Sequence, residues 1–280
     1  MTACLTAIAA AIALAGAAAH AQTMGLPGAD RNTPIEIHAD QGIEWQQGAQ
    51  AYIARGNASA KQGDVTVVAD QLIAYYRNNS SGGTDVWRID AQGNVRIASP
   101  AQSAHGDKAV YDVDNGVLVL TGKAVRLDTA NERITARDSL EYWDKKNLAV
   151  ARGDALAVRG DKKLRADVMT AHFTNGTVPQ AGKDKTKSES GRLTQIDAFN
   201  NVVVTGPTEV VRGNQGVYYA DSAIAVLTGN VRITRGQNQL NGERAEVNMN
   251  TGVSKLTGGG RVGGYFVPED TAGKGGKGKP

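Results

Sequence analysis

The stretch Ile89-Asp90-Ala91-Gln92-Gly93-Asn94-Val95-Arg96-Ile97 decides how the chain is read. Val95 and Ile97 flank Arg96, and a glycine-containing turn precedes them. Apolar and polar residues alternating with a period of two mark a strand with one buried face. Gly-Asn is turn chemistry, because both residues tolerate a left-handed backbone. The stretch returns almost letter for letter as Gly229-Asn230-Val231-Arg232-Ile233. Gly122-Lys123-Ala124-Val125-Arg126-Leu127 repeats it with one residue inserted, and Ile196-Asp197-Ala198-Phe199-Asn200-Asn201-Val202-Val203-Val204 repeats its lead-in.

A second box follows the first. Thirteen residues after Gly56, Gly93, Gly153, Asn200 and Gly229 come Ala69-Asp70, Gly106-Asp107, Ala166-Asp167, Gly213-Asn214 and Gly242-Glu243. An aromatic often follows: Tyr75, Tyr111, His172-Phe173, Tyr218-Tyr219. The unit that starts at Gly122 carries a looser version, Ala136-Arg137-Asp138 with Tyr142. A unit of about thirty residues cannot bury a face alone, so several must stack around one continuous core. Glycine supplies 34 of 280 residues and proline only 7, against an average glycine share of about 7%. Short Val- and Ile-rich strands between Gly, Asn and Asp predict an all-β sandwich, barrel or solenoid.

The remaining segments read differently. Residues 1–21 are Ala-, Ile- and Leu-rich and close on Ala19-His20-Ala21, a small-x-small site before Gln22. That pattern predicts a secretory signal peptide cleaved between Ala21 and Gln22. It has no Lys or Arg ahead of its apolar run, and the alternative is an uncleaved membrane anchor; the run is short for a span. Cys4, the only cysteine, lies in this segment. The processed chain is therefore expected to hold no disulfide, thiolate nucleophile or cysteine metal site. Residues 22–33 form a polar lead, 34–268 the β region, 175–192 a solvated loop insert within it, and 269–280 a Gly/Lys tail with no apolar periodicity, expected to be disordered. A net charge of +3 is too weak for a nucleic-acid footprint.

The motifs that suggest chemistry lack its context. Asp112-Val113-Asp114-Asn115-Gly116 resembles the start of a calcium loop, but Lys123 stands where the twelfth-position ligand belongs. Asn115-Gly116 between apolar runs is instead a hairpin turn. Gly258 to Gly263 spells G-x-G-x-x-G with no following helix and no acidic residue some twenty positions on, so the dinucleotide reading lacks its context. His38, His105 and His172 do not pair at metal-ligand spacing. No catalytic residue, metal or cofactor is assigned. Arg96, Arg126 and Arg232 alternate out of the apolar face, either as a solvated outer face or as guanidinium forks suited to phosphate.

Pro34-Ile35-Glu36-Ile37-His38-Ala39-Asp40-Gln41, then Ala54-Arg55-Gly56-Asn57, then Val65 to Asp70, resemble the start of the LptA/OstA (organic-solvent-tolerance-like) family. Leu120-Thr121-Gly122, Leu227-Thr228-Gly229-Asn230-Val231 and the closing Gly260-Arg261-Val262 to Phe266-Val267-Pro268 fit the same family. The resemblance spans residues 34–268, with more repeats than a compact member and the insert at 175–192.

It implies an elongated antiparallel β-jellyroll, open at both ends, in the periplasm. It also implies a lipopolysaccharide carrier assembled head-to-tail into a bridge between the membranes. The partners so implied are lipopolysaccharide, the jellyroll subunit of the inner-membrane export complex and the jellyroll domain of the outer-membrane translocon. In such a roll the alternation puts Ile35, Ile37, Val65, Val67, Val95, Ile97, Val125, Leu127, Val202, Val204, Val231 and Ile233 in the lipid groove. Two other readings stand beside it: a membrane-anchored jellyroll subunit of the same export complex, and a polysaccharide-acting enzyme on a parallel β-helix. A β-helix coil is usually shorter than this repeat and carries clustered Asp, Lys or Arg on one face, and no such cluster recurs here.

Overall fold

A computed structural model describes residues 35–80, 82–174, 192–248, 250–251, 253–258 and 262–266. The expected signal peptide, polar lead and tail lie outside these residues, as do the middle of the G-x-G-x-x-G stretch and all of the insert except Arg192. The described chain is antiparallel β-strand with a single short 3-10 turn at Asp144–Lys146. The strands are β1 (Glu36–His38), β2 (Ile43–Gln46), β3 (Ala51–Gln62), β4 (Val65–Asn78), β5 (Thr84–Ser99) and β6 (Gln102–Asp112). Then come β7 (Val117–Thr121), β8 (Val125–Thr129), β9 (Arg133–Ala136), β10 (Ser139–Trp143), β11 (Leu148–Arg159) and β12 (Lys162–Phe173). The last six are β13 (Leu193–Thr205), β14 (Val210–Tyr219), β15 (Ile224–Arg235), β16 (Asn238–Asn248), β17 (Ser254–Thr257) and β18 (Gly263–Tyr265).

Pairing shows that some of these are halves of one strand. β1 and β2 both pair with β3, β7 and β8 both with β6, β9 and β10 both with β11, and β17 and β18 both with β16. Counting each such pair once, eighteen strands become fourteen bent strands in a simple up-and-down meander. Each has one arm in a first half-sheet, which holds β1, β8, β9 and β18, and one in a second, which holds β2, β7, β10 and β17. The two half-sheets share a crease where the strands bend.

Sequence explains the bends. In β3, β5, β11, β13 and β15 the register skips two residues against one on the following strand, a β-bulge. The skipped pairs are Gly56-Asn57, Gly93-Asn94, Gly153-Asp154, Asn200-Asn201 and Gly229-Asn230, every residue at positive φ between 45° and 80°. Gly, Asn and Asp are the types that enter this region at least cost. The single residue opposite each bulge is the polar member of the second box: Asp70, Asp107, Asp167, Asn214 and Glu243.

Several of these side chains lie over the next bulge along. Asp70 accepts from Asn94 Nδ2 at 3.0 and 3.1 Å, and Asp167 accepts from Asn201 Nδ2 at the same distances. Asp107 accepts from the Lys123 backbone N–H at 2.9 Å. A Cβ on Gly93 would stand 2.1 Å from Asp70 Oδ2, and one on Gly153 would stand 2.2 Å from Asp138. The carboxylate over the turn and the missing side chain beneath it are one device.

Just past each bulge, paired residues fill the crease: Ala58 with Ala69, Val95 with Gly106, Val125 with Ala136, Ala155 with Ala166, Val202 with Gly213, and Val231 with Gly242. Valine never faces valine. The narrow corner holds a limited volume, so a larger partner on one strand is matched by a smaller one on the next.

The outer face of the second half-sheet carries a row of carboxylates. Glu44, Asp90, Glu141, Asp197 and Glu246 occupy one cross-strand row, with Ile53, Ile73, Val110, Val119, Val150, Thr170, Val217 and Val226 between them. Each carboxylate falls three bent strands after the last. Burial pushes the Glu141 carboxyl up, but hydrogen bonds from Arg152, Trp143 and Ser139 outweigh it and hold the group below its usual range.

Gly93 and Gly236 separate the two demands on glycine. Gly93 is both left-handed and covered by Asp70, whereas Gly236, at φ 54°, opens a two-residue hairpin turn with nothing near its missing Cβ. Gly93→Ala is expected to cost about 2–4 kcal/mol, from left-handed strain plus displacement of Asp70. Gly236→Ala is expected to cost about 1 kcal/mol from strain alone. Urea unfolding of the two variants measures the difference.

Candidate functional site

Between the half-sheets runs an apolar interior built from one row on each. On the first half-sheet the row is Ile37, Ala60, Val67, Ile97, Ala104, Leu127, Ile134, Ala157, Leu164, Val204, Val211, Ile233, Leu240 and Gly264, each directly opposite the next. The facing row on the second runs from Ala54, Leu72, Ala91 and Ala109 through Leu120 and Leu140 to Met169, Leu227 and Ala245. Tyr111 and Tyr142, from the aromatic boxes, are buried in the same core cluster.

The structure divides the sequence-predicted groove residues into three sets. Ile37, Val67, Ile97, Leu127, Val204 and Ile233 lie in the interior row. Val95, Val125, Val202 and Val231 lie in the crease, each 1% exposed, where the half-sheets meet. Ile35 and Val65 stand at the mouth, on the wall of a cleft. Besides Ala60, Ala157 and Gly264, the members that alternation did not reveal come from odd-numbered bent strands: Ala104, Ile134, Leu164, Val211 and Leu240. Their signal was the apolar position two residues before each Ala/Gly-Asp box, which is legible once the box is known to mark a bend.

The cleft opens between the half-sheets over the first six bent strands. It encloses about 300 Å3, at the small end of the roughly 300–1,000 Å3 of ligand sites. Ile35, Val65, Val67, Leu72, Ile89, Ile97 and Leu118 are among its lining. At its rim Arg77 donates to both oxygens of Asp114 at 2.8 and 2.9 Å, tying β4 to the turn after β6. That turn is the Asp112–Gly116 stretch. Asp112 accepts from the Asn115 backbone N–H at 2.9 Å and from its Nδ2 at 2.7 Å, so the residues make a hairpin cap.

Two residues beyond the interior row, the inner lip of the first half-sheet changes character along the molecule. Over the first six bent strands the lip residues are Ile35, Gln62, Val65, Ser99, Gln102 and Thr129, none of them charged. Over the next six they include Glu132, Arg159, Lys162, Glu209 and Arg235, all at least partly buried. Arg159 Nη1 stands 3.5 Å from Glu132 Oε1. Burial pushes the Glu132 carboxyl up, with the Arg159 charge working against it. The same guanidinium acts on Tyr218 of the opposite half-sheet, whose phenol burial also raises. A mouth whose first-half-sheet lip is uncharged and one whose lip is ionic thus follow one another on a single roll.

Arg96, Arg126 and Arg232 do not reach either mouth. They lie on the outer face of the first half-sheet in a row that passes through Val68, Arg96, His105, Arg126 and Thr135 and, farther along, Arg165, Val203, Arg212 and Arg232. Burial and the flanking Arg126 and Arg96 press the His105 imidazole pKa down.

Crease and cleft residues separate in their stability cost. Val231→Ala removes buried volume from a corner that cannot close, and about 1–3 kcal/mol of loss is expected. Val67→Ala, on the cleft wall, is expected to cost less than half as much, because open space already adjoins it. Chemical denaturation of both variants checks the order.

Comparison with known proteins fits this geometry. A protein of Rhizobium meliloti (strain 1021), described as uncharacterised, is 32% identical over 98 residues, which are 34% of this chain and 52% of that protein. The chain spans about half the length of this curated relative. The crystal structure of LptH, described as the LptA homologous periplasmic component of the lipopolysaccharide transport device of Pseudomonas aeruginosa, aligns at 17% identity with a TM-score of 0.39, over 49% of this chain and 95% of that one. The sequence model of the family described as "LptA/(LptD N-terminal domain) LPS transport protein" matches twice, at residues 36–137 and 133–253. The two matches meet inside β9, in unbroken sheet, so one roll holds two family lengths end to end. The chain belongs to the LptA/LptD N-terminal family of lipopolysaccharide transport proteins.

Proposed function

We propose that this chain is a periplasmic carrier that holds lipopolysaccharide by its acyl chains and extends head-to-tail into a bridge between the inner and outer membranes. The observation that carries this reading is the apolar cleft with its uncharged lip over the first six bent strands. Acyl chains lose hydration on entering such a space, and the absence of charge on that lip spares them a desolvation cost. Ile35, Val65, Val67 and Ile97 make the first contact. Leu127 extends the same wall, and Val204, Ile233 and their neighbours in the interior row continue it beneath the ionic mouth. The partners of such a carrier are lipopolysaccharide, the jellyroll subunit of an inner-membrane export complex and the jellyroll domain of an outer-membrane translocon.

The two ends of the roll favour assembly. Among the described residues, β1 and β2 pair only with β3, and β17 and β18 only with β16, so each end presents an unpaired edge there. Ile35, Ile37, Ile43 and Trp45 are exposed at the first edge, and Val253, Val262, Tyr265 and Phe266 at or beside the last. Among the described residues they are eight of the eleven exposed large hydrophobic side chains, which supports contact through the ends. Joining one end to the other is heterologous and does not close, so chains extend.

Photo-crosslinkers at Val67 and Ile97 are expected to capture lipopolysaccharide, and crosslinkers at Arg96 and Arg232 on the outer face to capture far less. Equal capture from both faces refutes the carrier reading.

Assembly has its own test. Ile37 is 37% exposed in the single chain and would be covered in the joint. Ile37→Lys is expected to leave the melting temperature nearly unchanged while weakening self-association by about 2–3 kcal/mol, roughly 30- to 150-fold. Sedimentation velocity over a range of concentrations reads this, and a wild type that stays monomeric throughout removes the bridge.

A further inference from the structure

A bulge far from the crease breaks the rule that the crease bulges keep. Between Tyr75 and Tyr76 the register of β4 against β5 shifts, and the extra residue on β5 is Trp87. The crease bulges hold Gly, Asn or Asp, the types that bend at least cost. Here the inserted side chain is a tryptophan. A bulge re-aims the residues around it. Val86 lines the cleft, and the extra residue lets Trp87 and Arg88 share the outer face, where strict alternation would put one on each side. Trp87 lies against Tyr75, with ring centroids 5.9 Å apart and planes at 41°.

Trp87 is 36% exposed, and no acceptor among the described residues meets its indole N–H. The other two tryptophans bond theirs: Trp45 Nε1 donates to Tyr76 Oη at 2.7 Å, and Trp143 Nε1 to Glu141 Oε2 at 3.1 Å. Arg88 completes the surface. Its guanidinium carbon stands 5.8 Å from the Tyr75 ring centroid. It donates Nε to Asp90 Oδ1 at 2.6 Å and Nη2 to Asp90 Oδ2 at 3.0 Å. Those bonds use two of the five N–H groups a guanidinium carries. Asp90, buried in the outer carboxylate row, therefore fixes the plane of the fork.

We infer that Trp87, Tyr75 and Arg88, with Asp90 behind them, form a saccharide platform that takes a sugar ring of the lipid headgroup while the acyl chains lie in the cleft. The inference rests on the carrier reading and adds the place of the headgroup. Exposed aromatic rings pack against the C–H face of a pyranose, and hydroxyls at the sugar's edge accept from the indole N–H and from the remaining N–H groups of Arg88. Arg77, Thr84, Asp85 and Val86 line the cleft, so the platform begins one residue past its wall. Arg77 and Arg88, the nearest cations along β4 and β5, each hold a carboxylate, and Asp85 accepts from Asn79 Nδ2 at 3.1 Å. An anionic bilayer calls for unpaired cations, whereas a neutral sugar calls for donors held in a fixed plane beside an aromatic face.

Two measurements test the platform. Trp87→Ala is expected to bind lipopolysaccharide about 3- to 10-fold more weakly than wild type, the worth of one aromatic stack. Its affinity for palmitate, which carries no sugar, reports whether the cleft is intact and is expected to match wild type. In a Trp45→Phe, Trp143→Phe chain, Trp87 is the one indole left of three. Its emission is expected to shift saturably with the lipid-free saccharide made by stripping the acyl chains from lipopolysaccharide, and to stay unmoved with vesicles of phosphatidylcholine or phosphatidylglycerol. Equal lipopolysaccharide affinity in Trp87→Ala and wild type overturns the platform and leaves the carrier reading standing. Emission that answers to vesicles but not to the saccharide overturns it in favour of a membrane surface. A wild type that shifts with the saccharide but binds neither palmitate nor whole lipopolysaccharide overturns the carrier reading and reassigns the platform to free glycan. If wild type answers to none of these ligands, both readings are wrong.

Discussion

The fold depends on the placing of a polar side chain over a left-handed turn. Asp70 over Gly93-Asn94, Asp107 at the Lys123 amide, Asp138 at Gly153 and Asp167 at Asn201 are one contact repeated along the crease. A strand forced into a bulge loses ladder hydrogen bonds and costs strain. The carboxylate supplies acceptors where the ladder cannot, and glycine removes the atom that would block it. Because each bend is fixed by the strand before it, bends stay in line from one strand to the next, and a line of bends is a crease. Two half-sheets hinged on one crease enclose an interior along their whole length. The cleft is thus a consequence of bend alignment, and its polarity is set by which residues reach the lip.

Along that interior, small differences decide what each part can do. The interior row is apolar throughout, so it distinguishes nothing. The lip distinguishes. Six strands with Gln62, Val65, Ser99, Gln102 and Thr129 leave the space open, and six with Glu132, Arg159, Lys162, Glu209 and Arg235 lace it with charge. The family match splits at the same place, within β9. The two lengths share one backbone plan and differ at the mouth.

Much of this was legible in the sequence. Alternation about Val95-Arg96-Ile97 gave the strands, and the spacing of Gly56, Gly93, Gly122, Gly153, Asn200 and Gly229 gave the unit. The Ala/Gly-Asp box was visible as a pattern, but its meaning was not, because a carboxylate on the adjoining strand is no neighbour in sequence. For the same reason Val95 and Ile97 looked alike, although one fills the crease and the other faces the cleft. β2 was missed because Ile43-Glu44-Trp45-Gln46 is too short to alternate convincingly and its glycine precedes rather than divides it. Arg96, Arg126 and Arg232 were correctly set on the outer side of their strands, but no pattern in the sequence could tell that this side lies away from both mouths.

The up-and-down meander also sets how such a molecule can change in length. Every bent strand pairs only with its neighbours in the chain, so a hairpin of two can be added or removed with the ladder on either side kept. Adding a single strand instead reverses the direction of the far edge. Neighbouring strands are about 4.8 Å apart, so a roll of this plan grows in steps of roughly 10 Å. The length of such a roll is therefore counted in hairpins, and any finer adjustment has to come from tilt or twist of the strands.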